Sequence, residues 1–433
     1  MSGLTVLAAV FLAYALVASR LDRSWITAPM VFVAAGLILG PHVAGILPVE
    51  LSHEAVLTIT ELTLAVLLFS GAAVVRLSDV ADDVTLPGRL LFAGLPVTIV
   101  IGAVVAYYLL PGAGWALAAL IATILAPTDA ALGLAVVTNR AVPVRIRRAL
   151  NVESGLNDGI ATPFVTLFIA VVAADEELTT TAWGLAAVKE IGLAIAAAIV
   201  VGVAGGKALA LAKDRGWTSA VSEQIAILAL ALLAYVGSVA IGGNGFVAAF
   251  SGGILFGAVT KGRLAAADAF TETLGMTASF LVWTIFGALF VGQIVTHAPT
   301  ARPVLFAVLS ITVIRMVPVA IALLGTKLRP VTVAFMGWFG PRGLTSVVFT
   351  IIALEDFEHS HSGDTLVEAA TWTILLSVVL HGISASPLAA RYGALITKAG
   401  DVPEKAPAEE PQIRLRDLAG RHLHRRHQDA GPG

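Results

Sequence analysis

The stretch NVESGLNDGI, residues 151–160, holds two carboxylates, an amide and a hydroxyl within a segment that is otherwise apolar in character. Read as a helix, Glu153 and Asn157 share one face, and Ser154 and Asp158 share another about 100° away. The first stripe, a carboxylate with an amide, suits a charged hydrogen-bonding partner. The second, a hydroxyl with a carboxylate, supplies oxygen ligands for a hard monovalent cation or a place for a proton. An ionised Asp158 can hold a proton or a cation, but hardly both. Competition for one carboxylate couples two opposed fluxes, and burial and neighbouring charge tune its affinity for the proton.

Three further segments bring polar groups into apolar surroundings. In TILAPTDAALG, residues 123–133, Pro127 removes a backbone donor and is followed by Thr128 and Asp129. A helix interrupted at membrane depth is tolerated where it is buried or lines a cavity. In ITVIRMVPVA, residues 311–320, Arg315 stands alone. A guanidinium keeps its proton in a protein, so Arg315 needs a carboxylate, and Glu153 is the expected partner, with the Asn157 amide oxygen accepting further hydrogen bonds. In FMGWFGPRGLTS, residues 335–346, Gly337, Gly340, Pro341 and Gly343 interrupt a second apolar segment. Arg342 there either stabilises the carbonyl ends of the broken pieces or lies nearer the membrane surface and snorkels.

The elements that must position these residues follow from composition. Hydrophobic residues make up 58% of the 433 and charged residues 13%. Apolar runs recur along most of the chain, each near the roughly 20 residues that cross a bilayer core. The expected fold is an all-α polytopic membrane protein of about thirteen spans, the run at residues 4–18 being a retained first span. The transmembrane unit covers residues 1–397. Residues 398–433 form a flexible basic tail whose His422, His424 and His427 read as part of a solvated segment near anionic lipid.

Basic residues fall in alternate connections: Arg20 and Arg23, Arg76 and Arg89, the group from Arg140 to Arg148, Lys213 and Arg215, Lys261 and Arg263, Lys327 and Arg329. Those loops are expected on the cytoplasmic side, which puts the N-terminus outside and the C-terminus inside. The interrupted segments are the fifth and twelfth spans, at about residues 114–138 and 331–354. An odd offset makes them run in opposite directions, as an inverted repeat requires, with spans four to six matching eleven to thirteen.

Several functions lack their residues. The chain has no cysteine, which excludes disulfides and thiolate metal sites. Nothing resembles a nucleophile triad, and GGNGFVAAFSGG fits close helix packing better than phosphate binding, since no strand precedes it. The enzyme reading to weigh is an intramembrane aspartyl protease with Asp129 and Asp158 as its dyad, but the glycine-glycine-aspartate sequence of those enzymes is missing. A channel needs a continuous polar lining that these spans do not show. No nucleic-acid partner is indicated.

The segments PTDA, ESGLNDG, VIRMVPV, WFGPRG and LHGISASPL, taken in order, resemble the NhaP-type monovalent cation/proton antiporters, related to sodium/proton exchangers. The resemblance covers about residues 1–392. It implies an NhaA-like antiporter fold with two crossed broken helices and a homodimer in the cell membrane. It also implies Na+ or Li+ exchange for protons, with K+ as the alternative, and no cofactor. Carried over position by position, Asp158 binds the ion and the proton, Ser154 and Thr128 add ligands, and Asp129 assists. Glu153 and Arg315, joined by Asn157, form a structural ion pair. Asparagine at position 157 resembles the members that exchange one cation for one proton. In the third span, Ser70 and Gly71 stand where several relatives have an acidic residue, and Glu61, earlier on that span, is expected to face the outer vestibule.

Overall fold

The computed structural model describes residues 2–21, 24–47, 53–73, 85–110, 112–129, 132, 134–173, 180–261, 268–296, 300–357 and 361–408. All regular structure among them is helical. In chain order the helices are α1 (Ser2–Leu21), α2 (Ala28–Leu39), α3 (His53–Ala73), α4 (Thr85–Leu109), α5 (Trp115–Ile124), α6 (Leu134–Val137) and α7 (Val144–Ala173). They continue with α8 (Thr180–Ala198, extended through a π-turn to Asp214), α9 (Ala220–Ala240), α10 (Gly245–Thr260) and α11 (Asp268–Ile285, extended to Thr296). The remainder are α12 (Ala301–Ala322), α13 (Pro330–Trp338), α14 (Leu344–Phe357) and α15 (His361–Lys398).

Among the described residues, nine helices are long and apolar enough to cross a membrane, and four shorter ones are apolar as well: α2, α5, α10 and most of α14. Local chemistry fixes several of their ends. α9 begins on a capping box in which the Ser219 and Ser222 side chains each bond the other's backbone. The Asn244 side chain accepts the Val247 N–H at the start of α10. Such caps satisfy amides that a helix leaves without internal partners.

The helices pack as two groups. α2, α3, α8, α9, α10 and α11 adjoin one another, with α1 resting on α2. α4, α5, α7, α12, α13, α14 and α15 make the second group, and α3 with α11 meets α7 and α14 between the two. Aromatic rings hold α1 to this arrangement: Phe11 and Tyr14 lie against Phe32 and Phe280, which stack with centroids 4.4 Å apart. α2 and α11 approach through glycine, since a Cβ at Gly36 would strike the Thr284 carbonyl and one at Gly287 the Val33 carbonyl. Close backbone approach through small residues is how helices pack where lipid tails give no hydrophobic drive to associate.

The chain beyond α15 departs from the expectation of a free tail at residue 398. Pro403–Lys405 form a short 3-10 turn in which Glu404 is fully buried. Glu404 Oε1 accepts the Arg329 N–H at 2.8 Å and the Thr332 hydroxyl at 2.7 Å, at the start of α13. Arg145 at the start of α7 donates to the Pro403 carbonyl at 2.9 Å. Lys405 Nζ reaches the carbonyls of Ala399 and Gly400 just past the end of α15. The segment is a strap across three helix ends. His422, His424 and His427 lie outside the described residues, as do Arg23, Arg76 and Arg263.

Candidate ion-binding site

The two interrupted segments meet. α5 stops at Ile124, helix resumes at α6, and the other break separates α13 from α14 over residues 339–343. The Asp129 N–H donates to the Pro341 carbonyl at 2.8 Å, joining the breaks backbone to backbone. Each break then supplies what the other's helix end lacks. The Leu344 N–H at the head of α14 donates to Asp129 Oδ2 at 3.3 Å. In return, the Ser346 hydroxyl donates to the Ile124 carbonyl at 2.7 Å, and Arg342 Nη1 to the Ala126 carbonyl at 2.5 Å. A carboxylate at a helix N-terminus and cations at carbonyl ends match the helix dipole. Gly343 permits this contact, because a Cβ there would run into Asp129.

Arg342 is fully buried and also donates through Nη2 to the Ser310 carbonyl at 3.1 Å, so of its two sequence readings the support of carbonyl ends describes its contacts. Its backbone N–H donates to Ser377 Oγ at 2.7 Å. His381, one turn further along α15 and also buried, lies with Nδ1 3.1 Å from Ser377 Oγ and Nε2 2.9 Å from the Trp338 carbonyl at the end of α13. Ser377 and His381 thus hold the unwound segment from behind. In the sequence His381 stood only within LHGISASPL, with nothing to assign it a partner.

The stripes on α7 face different neighbours. Arg315 Nη1 lies 2.6 Å from Glu153 Oε1, and both side chains are buried. Asn157 does not take the place expected for it. Its Nδ2 donates to Thr128 Oγ1 at 2.7 Å, and its Oδ1 has no hydrogen-bond partner among the described residues, instead of accepting from Arg315. One turn beyond Glu153, α7 faces the break at Thr128, which is therefore what the amide reaches. Thr128 Oγ1 is in turn 3.2 Å from Ser154 Oγ.

Asp158, Ser154 and Asp129 line a cavity of about 410 Å³ between the two helix groups. Its walls also carry Ser70 and Gly71 of α3 and the Ser24–Pro29 connection. Thr128 is not among the lining residues and is 1% exposed, so its hydroxyl links Ser154 to Asn157 behind the wall. Glu61 is likewise absent from the lining and is hydrogen-bonded to Tyr235 of α9.

Two cavity residues escaped sequence reasoning. Thr345 Oγ1 donates to Asp158 Oδ2 at 2.8 Å, across from α14 to α7. Glu272 of α11 lines the cavity on the opposite wall. Thr345 was visible only as a residue just past the break, and Glu272 as one of two acids, with Asp268, near the start of α11. The assembled chemistry is a carboxylate, Asp158, on the wall of the cavity, with the hydroxyls of Ser154 and Thr345 on the same wall and a second carboxylate, Asp129, at a helix end.

Known proteins resemble this chain. A family model described as sodium/hydrogen exchanger, transmembrane, matches residues 6–391. The K(+)/H(+) antiporter NhaP2 of Shewanella sp. (strain ANA-3) is 27% identical over 259 residues, 59% of this chain and 44% of that protein. The K(+)/H(+) antiporter NhaP of Alkalimonas amylolytica is 25% identical over 381 residues, 86% of this chain and 64% of that protein. The match thus spans less than half the length of the Shewanella relative. The solved structure of the sodium proton antiporter MjNhaP1 from Methanocaldococcus jannaschii at pH 8 superposes with a TM-score of 0.72, at 20% identity, covering 91% of this chain and 100% of that one. The likeness in structure is one of fold, and the family match extends over nearly the whole chain: the protein belongs to the sodium/hydrogen exchanger family.

Proposed function

We propose that the protein is a secondary antiporter, not an enzyme, that exchanges protons for a monovalent cation, Na+ or Li+, by alternating access with competition at Asp158. The observation that carries this is the placement of Asp158 on the cavity wall, one helical turn from Ser154 and beside the meeting of the two chain breaks. Ser154 is the second ligand residue, with Thr128 behind it fixing the serine hydroxyl, and Asp129 holds the helix end that faces the cavity. Glu153 and Arg315 form the structural pair of the neighbouring face, and exchange is one cation for one proton. No cofactor takes part.

The nine long helices and four shorter apolar ones support thirteen passes in an NhaA-like arrangement with inverted repeats, and the joined breaks support its crossed helices. Residues 1–397 form the transmembrane unit, a homodimer in the plasma membrane with the N-terminus outside. Basic residues beside the Ser24–Pro29 connection and after Thr138 support a cavity mouth on the cytoplasmic side and hence an inward-facing state. The second reading is K+/H+ exchange, favoured by the names of the curated relatives.

The test is a sealed vesicle carrying the purified protein, with internal pH followed after a pulse of Na+, Li+ or K+. Opposed movement of cation and proton is expected, abolished by Asp158→Asn without loss of folding. Full exchange by a folded Asp158→Asn protein would end the mechanism, and co-directional movement would end antiport.

A further inference from the structure

We propose that Thr345 is a specificity-determining residue of this site: its hydroxyl holds Asp158 while the site is empty and turns an oxygen lone pair to the cation when one binds. The inference rests on the antiport reading above. Thr345 is the second residue of α14, 6% exposed, and lines the cavity. Many threonines in these helices spend their hydroxyl on the carbonyl four residues back, as Thr162 does on Asp158 and Thr350 on Ser346. For Thr345 that residue is Pro341, inside the break, whose carbonyl already accepts the Asp129 N–H. The break therefore frees the Thr345 hydroxyl from its own backbone, and the hydroxyl addresses Asp158 Oδ2 at 2.8 Å.

A hydroxyl has one hydrogen to donate and two lone pairs to offer. With the site empty, the hydrogen goes to the carboxylate. With a cation on Asp158, the Thr345 oxygen, hydrogen-bonded to Oδ2 at 2.8 Å, is close enough to share the ion after a small outward shift, and rotation about one bond presents its lone pair. Ser154 brings a hydroxyl from α7 and Thr345 brings one from α14, so a bound cation ties the two elements together. The other titratable side chains on the cavity walls, Asp129, Glu272 and Tyr14, are on different elements, and the Glu153–Arg315 pair lies on the adjacent face of α7. Preference among monovalent cations depends on how many oxygens close round the ion and how freely they move, which is how cavity size and ligand number separate other hard cations.

The experiment compares Thr345→Val, Thr345→Ser and the unaltered full chain in proteoliposomes, with Na+, Li+ and K+ as the probes. Thr345→Val keeps the shape and removes the hydroxyl. Its half-saturating cation concentration should rise about three- to tenfold, the worth of one hydrogen bond, with the maximal rate kept and the ranking of the three cations altered. Thr345→Ser should retain the unaltered affinity and ranking. Should Thr345→Val fail to fold, Thr345→Ala carries the same expectation, read also as weaker thermal stabilisation by added cation. Unchanged half-saturation and ranking in a folded Thr345→Val or Thr345→Ala protein would overturn the proposal. So would an equal loss in Thr345→Ser, which would mark a packing role alone. An unaltered chain that moves no protons on a cation pulse would instead overturn the antiport reading itself.

Discussion

At the scale of single residues, the outcome turns on which groups have a partner that sequence spacing can identify. Glu153 and Arg315 are costly to bury alone, so each demands the other, and the buried pair at 2.6 Å shows where that demand is met. Glu153→Ala should lower stability in detergent by about 3–5 kcal/mol, because it strands a buried guanidinium, whereas Ser154→Ala should weaken cation binding and leave stability nearly unchanged. Removing both Glu153 and Arg315 should recover part of the loss. Thermal unfolding of the three variants checks this, and a double-variant loss equal to the sum of the singles would mean the two side chains act independently. The acidic residues and the lone arginine were legible because charge in an apolar run announces itself. The direction of the Asn157 amide was not, since an amide can donate or accept and the choice depends on the break that α7 happens to face. Thr345 was hidden for a related reason: a threonine costs little in an apolar helix, and only the opposing break reveals that its hydroxyl is free.

At the scale of elements, the breaks were legible and their mutual capping was not. Proline and glycine showed where α5 and the α13–α14 segment stop, but not that Asp129 would cap α14 or that Ser346 and Arg342 would serve the carbonyl end of α5. Such pairings join residues more than 200 positions apart in the chain. The strap is a second case. In an acidic, proline-rich stretch Glu404 reads as solvated, yet it supplies the side-chain cap that α13 lacks, its own flanking residue being Arg329 followed by Pro330. Burial opposes the charge on Glu404, but hydrogen bonds from the Arg329 N–H and the Thr332 hydroxyl outweigh it and hold the carboxyl below the usual carboxylate range. A carboxylate whose folded value lies below its unfolded one contributes stability above the unfolded value and loses it as pH falls through the folded one. The strap's contribution, about 1.5–3 kcal/mol for a charge-assisted cap, should therefore be complete at neutral pH and fade below about pH 4. Glu404→Gln should lack the pH-dependent part and unfold at lower temperature at pH 7. Melting curves across this range test the cap, which fails if the glutamine variant keeps both the neutral-pH melting point and the acid dependence.

At the scale of the whole molecule, the proposed exchange depends on the cavity between the helix groups, which Asp158 lines. Hydropathy and charge placement could predict a polytopic bundle, but not a cavity, because a cavity belongs to the gap between α3 and α11 on one side and α7 and α14 on the other. If proton and cation compete there for Asp158, raising the cation concentration should move the acid-side half-activity point to lower pH, since more protons are then needed to displace more cation. On the alkaline side activity should fall for a different reason, the shortage of protons for the return step, and a bell-shaped profile follows without a separate sensor. The rival device is the histidine-bearing end of the tail, with His422, His424 and His427 gating transport on protonation. Where the chain is cut decides whether the two can be separated. A truncation near residue 400 would remove Glu404 along with the histidines and unseat the strap from α7 and α13. A truncation after Ala408 keeps the strap and removes the histidines. In that shortened chain, competition at Asp158 predicts an acid limb that persists and shifts with cation concentration, measured as proton flux at several pH values. An acid limb that vanishes with the histidines, or stays fixed at every cation concentration, would assign pH control to the tail and leave Asp158 with transport alone.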